Sequence, residues 1–172
     1  HAWAGYGAFD KWLTGQGKAG LFMFRNSCPP ITGVHVVKDR GLCYAFNESV
    51  AAFLEHQDSI QNVFMVSTWR QAIEGRLSTE ADVHLSRDES VRLFEHRFAE
   101  SIKSLHRQGK RILVWEPVPG ARSNVPIAMG KAEIEGRSAA IEIRRDEYRS
   151  DFAFCFRALD KEGGLKRANI FP

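Results

Sequence analysis

Short, unbroken apolar runs set between long amphipathic stretches constrain this chain more than any other feature. Residues 21–24, 63–66 and 112–115 are runs of the kind that form strands buried on both faces, and 169–171 is a weaker one. Between them lie stretches with apolar residues three and four apart. The clearest covers residues 87–108, where Val91, Phe94, Phe98, Ile102 and Leu105 make one stripe, Ser86 and Glu89 a capping box, and Gly109 a C-terminal stop. Trp3, Tyr6, Phe9 and Leu13 mark a helix over 2–14, and Tyr148, Phe152, Cys155, Phe156 and Leu159 another over 146–159. Residues 46–56 are helix-like as well. Strands and helices alternating in this way predict an α/β fold, a doubly wound sandwich around a parallel sheet with right-handed crossovers. With 172 residues, 44% of them hydrophobic, the chain reads as a single domain able to bury its own core.

In such sheets ligands bind beyond the carboxyl ends of the strands. That rule selects Ser27-Cys28-Pro29-Pro30, Ser67-Thr68-Trp69-Arg70 and Glu116-Pro117-Val118-Pro119-Gly120. For each segment alone, turn chemistry with an anchoring tryptophan is the plainer account; three at one edge make a site. The prolines after Cys28 force an extended exit, and Cys43 is placed to close the loop they stiffen. Closure would stabilise the fold by about 3 kcal/mol on the chain-entropy argument and imply an oxidising compartment. The spacing alone also allows two free thiols. The histidines His35, His56, His84, His96 and His106 show no metal-ligand spacing, and no cofactor is implied. A net charge of +3, from 24 basic and 21 acidic residues that interleave, argues against a nucleic-acid partner. No apolar run approaches the ~20 residues that span a bilayer, and His1-Ala2-Trp3-Ala4 is not a signal peptide.

Several motifs together resemble one family. They are the opening His1-Ala2-Trp3, the Ser27-Cys28-Pro29-Pro30-Ile31-Thr32-Gly33 loop, Cys43-Tyr44-Ala45-Phe46-Asn47, Val63-Phe64-Met65-Val66-Ser67-Thr68-Trp69 and Val114-Trp115-Glu116-Pro117-Val118-Pro119. The chain resembles the SGNH-hydrolase-like domains fused to acyltransferase-3 type membrane O-acetyltransferases, which modify bacterial surface polysaccharides. The resemblance covers nearly the whole chain, and it implies a flavodoxin-like architecture. It also implies an extracytoplasmic, periplasmic setting in which Cys28 and Cys43 pair, tethered to the inner membrane by a preceding transmembrane domain. In that family the nucleophile lies in Gly-Asp-Ser-His at the end of a first strand, between the strands formed here by residues 21–24 and 63–66. His1 looks like the last residue of that motif, and the Asp-x-x-His of the triad would follow Pro172. The expectation is therefore a domain cut short at both ends, with no catalytic residue of its own.

What the resemblance leaves inside the chain is the frame of an oxyanion hole. By position its backbone donor falls at Ser27 or Cys28, and its asparagine slot at Trp69, whose indole N–H could donate, wall the acyl pocket or simply pack in the core. Arg70 would hold a carboxylate or a sugar hydroxyl, or be solvated. Cys155 is expected in the core of the last helix, or paired with a cysteine beyond the chain. The implied activity is transfer of an acetyl group, supplied through the fused membrane acyltransferase, to a glycan acceptor by way of an acyl-serine. A non-catalytic glycan-binding module and a free-standing carbohydrate esterase are the alternatives on the same fold.

Overall fold

The computed structural model describes residues 2–119, 124–138 and 144–168, with the side chains of residues 2–5 left aside. In chain order the elements are α1 (Ala2–Gly15), β1 (His35–Val36), α2 (Leu42–Glu55), β2 (Asn62–Met65), β3 (Leu77–Ser78), α3 (Arg87–Arg107), β4 (Arg111–Trp115), α4 (Val125–Ile134), α5 (Arg145–Asp151), α6 (Ala153–Lys161) and β5 (Lys166–Ala168). Three strands form a parallel sheet in the order β2-β4-β5. Asn62 lies opposite Arg111 and Met65 opposite Val114, while Leu113 to Trp115 face Lys166 to Ala168. The fold is thus α/β. A separate two-stranded antiparallel ladder joins β1 to β3, a pairing too short to leave a period in the sequence.

Local signals set α3 where the stripe predicts it. Ser86 Oγ accepts the Glu89 N–H at 3.3 Å and Glu89 Oε2 accepts the Ser86 N–H at 2.9 Å, completing the capping box. The Ser86 hydroxyl, donating to Glu89 Oε2 at 2.6 Å, and after it the Ser86 amide hold the Glu89 carboxyl below its usual range. Phe94, Phe98, Ile102 and Leu105 then bury against Met65, Ile112 and Val114 on one face of the sheet. Phe9 of α1 meets the other face, 4.7 Å from Phe64 and 6.0 Å from Trp115 between ring centroids. Alternation along β4 dictates this division, because Val114 and Trp115 point to opposite sides.

Three expectations change. Residues 21–24 join no ladder among the described residues, and Leu21 and Phe24 are 61% and 43% exposed. Apolar content makes a strand only where a neighbouring backbone takes up its N–H and C=O groups in a ladder, and among the described residues this segment is part of no ladder. The helix expected over 146–159 breaks at Phe152, which takes φ −106° and ψ 15°. The break rotates the buried face so that Phe154, off the straight stripe, reaches 5.0 Å from Phe94. α2 begins earlier than residue 46: Gly41 turns the chain at φ 74°, and Asp39 accepts the Gly41 and Cys43 amides at 3.0 and 2.7 Å. His1 and residues 169–171 lie outside the described residues.

Candidate active site at the carboxyl edge of the sheet

The loops that follow residues 21–24, β2 and β4 are stapled to one another. The Trp69 indole N–H donates to the carbonyl of Trp115 at 2.9 Å, tying the turn after β2 to the end of β4. Gln71 Nε2 donates to the Ser27 carbonyl at 3.1 Å, tying the same turn to the loop after residues 21–24. The Glu116 amide donates to Ala168 at 3.0 Å and the Tyr148 hydroxyl to Pro117 at 2.6 Å, so β5 and α5 close the far side. The three segments singled out from the sequence therefore do share one edge.

Cys28 and Cys43 form a disulfide with their Cα atoms 5.4 Å apart. Behind it Asn47, 6% exposed, donates from one amide nitrogen to the carbonyls of Pro29 and Ile31, both at 2.8 Å. The bridge and the amide together pin the Cys-Pro-Pro loop to α2. Replacing both cysteines with serine should lower unfolding stability by about 3 kcal/mol, read from the denaturant midpoint. A shift under a third of that would show that Asn47 alone holds the loop.

The individual candidates differ in what they have free. Ser27 is exposed and left-handed at φ 57°, strain that non-glycine residues keep mostly at functional or tightly determined positions. The Cys28 amide closes a turn onto Arg25 at 3.3 Å, a long bond. Trp69 is 1% exposed, also left-handed at φ 57°, and edge-on to Phe94 and Phe98 at 5.8 Å. Its one donor is spent on Trp115. Of the three roles open to it, this geometry is that of a core aromatic: an N–H already bonded inside the protein has no second hydrogen for an oxyanion. Arg70 points outward, 44% exposed, in an i,i+4 pair with Glu74 at 3.4 Å, and such a pair contributes little.

Sequence reasoning passed over one buried group at this edge, Gln71, and named another, Glu116, only as part of its turn. Gln71 is 5% exposed and Glu116 9%. No local signal distinguishes either, because a polar residue in a turn is ordinarily solvated. Burial, and after it the nearby Glu116 charge, pushes the Tyr148 phenol up to about 12 and holds the buried Cys155 thiol well above its usual range. Cys155 is accordingly a packed thiol and not a nucleophile.

No serine hydroxyl is bonded to a histidine among the described residues. Ser90 Oγ accepts the Leu77 amide, Ser101 Oγ donates to Arg97, His96 faces Glu100, and His35 stacks on Tyr44 at 4.4 Å. Nor, among those residues, does any cluster of three or more His, Cys, Asp or Glu suit a metal. None of their helices is long and apolar enough to cross a membrane.

A family model described as the SGNH domain fused to AT3 domains matches residues 1–170. The chain belongs to this family. Comparisons with curated proteins and with solved structures gave no match. The SGNH domain is of hydrolase and esterase type, and its fusion to AT3 domains associates it with acyltransferases.

Proposed function

We propose that this SGNH domain is the extracytoplasmic module of a serine-dependent O-acetyltransferase that passes an acetyl group to a hydroxyl of a bacterial surface glycan. The observation that carries the reading is the family match across residues 1–170, in a family named for fusion to AT3 domains. The fused membrane acyltransferase would supply the acetyl group, and a serine ahead of His1 would receive it. The imidazole to take the serine proton and the carboxylate to orient it would come from an Asp-x-x-His beyond residue 172. The Cys28–Cys43 disulfide supports an oxidising compartment. Among the described residues β2 ends the sheet on one side, and a nucleophile-bearing strand pairing there, with residues 21–24 on its outer side, would complete a doubly wound sandwich.

A non-catalytic glycan-binding module is the second reading. It draws on Trp69, which stands in the asparagine slot with its donor committed. The complete protein decides between them. Its wild type should release acetate from p-nitrophenyl acetate and acetylate a polysaccharide acceptor, and alanine in place of the serine before His1 should abolish both. Residues 1–172 alone should do neither. Retained turnover in the alanine variant, or the lack of a serine at that place, would favour the binding module.

A further inference from the structure

Among the described residues Gln71 is the one side chain hydrogen-bonded from the turn after β2 to the loop after residues 21–24, and its arrangement is costly. One amide nitrogen donates to Ser27, 44 residues away in sequence, while Oε1 is sealed from solvent with no protein partner. A buried amide with an orphaned carbonyl is worse for folding than an aliphatic side chain of the same size, so packing does not explain a glutamine here. The residue it holds is also strained: Ser27 is non-glycine at φ 57°, and its own side chain is exposed. On the other side of Gln71 the backbone is fixed in turn, since its carbonyl accepts the Arg76 amide at 2.9 Å and Trp69 is locked to Trp115. The amide is therefore a rigid post, and Ser27 is what it positions.

We propose that Gln71 is a positioning residue of the acyl-transfer site, holding Ser27 in its left-handed conformation so that the Ser27 backbone N–H, and not the Cys28 amide already bonded to Arg25, faces the reacting acyl group. The assignment rests on the reading of this edge as that site. Gln71 touches no substrate; it acts through Ser27. Preorganised donors stabilise a developing oxyanion only when they are already in place, and a loosened turn spoils the transition state more than it spoils binding.

The test uses the complete protein with Gln71→Leu, which keeps the bulk without the amide, and Gln71→Glu, which replaces the donor by an acceptor. Both should lower kcat roughly 10- to 100-fold with KM little changed, with the disulfide intact and a thermal midpoint no lower than that of an Asn47→Leu control. Hydrogen–deuterium exchange should accelerate over residues 25–31 and not in α3. A kcat per folded molecule within about twofold of wild type overturns the assignment. So does full activity in Gln71→Glu alone, which would move the role to Oε1. If the wild type turns over no acyl ester, the reading of the site has failed, and exchange still decides the hold on Ser27: unchanged protection over 25–31 in Gln71→Leu overturns it.

Discussion

Trp69→Ala should be the most damaging single substitution in the described core, lowering unfolding stability by about 4–5 kcal/mol. The side chain is 1% exposed, meets Phe94 and Phe98 edge-on at 5.8 Å, and carries the bond that fastens the β2 turn to Trp115. Alanine leaves a large cavity and an unpaired carbonyl at the end of the central strand. Trp69→Phe separates the two losses: the ring is kept, and the missing N–H bond costs about 1–2 kcal/mol. In the complete enzyme its kcat per folded molecule should stay near wild type, since the indole has no free hydrogen for the substrate. A drop of roughly 10² to 10³ in kcat at unchanged stability, the loss typical of a missing oxyanion donor, would return Trp69 to the reacting centre. Urea denaturation and steady-state kinetics on a soluble acetyl ester give both answers.

Asn47→Leu should cost about 3–4 kcal/mol, the penalty for two buried acceptors losing their donor at once. The substitution is close to isosteric, so the loss reads the bonds to Pro29 and Ile31 and not a cavity. Asn47→Asp should be worse still at neutral pH, because a carboxylate would face two carbonyls in a buried site. Burial without a donor raises the folded-state pKa of that carboxyl above its unfolded value. Its protonated form is therefore favoured by folding, and part of the lost stability should return as pH falls through the folded pKa and disappear again as pH rises. Equilibrium unfolding of both variants between acidic and neutral pH checks the sign. Equal stability of Asn47→Asp and wild type at neutral pH would show that the loop carbonyls find other donors.

Much of this molecule was legible along the chain. The capping box at Ser86 and Glu89, the stripe of α3 and the apolar runs of β2 and β4 are encoded within a few residues of where they act. The pairing of Cys28 with Cys43 and the family itself followed from the Cys-Pro-Pro loop and its companion motifs. Residues 21–24 show where a local reading stops: their apolar pattern suits a strand, yet a strand is a relation to a neighbour, and the pattern carries no information about whether one is present. The break at Phe152 has the same origin, since the helix bends to seat Phe154 against Phe94 across the core.

The site divides along the same line. The sequence by itself determined that the loops after β2 and β4 leave one edge of a parallel sheet, because strand direction follows from the alternation of elements. It also marked the Cys-Pro-Pro loop as their counterpart by its prolines and cysteines; the bond from Gln71 to Ser27 is what brings that loop to them. Only the tertiary structure decided what each side chain there is free to do. Trp69 spends its N–H on a residue 46 positions away, Gln71 spends one on a residue 44 positions away, and Arg70 between them turns to Glu74 on the surface. Periodicity and capping are properties of neighbours in the chain, whereas the burial and pairing of a polar group depend on which distant segments close over it.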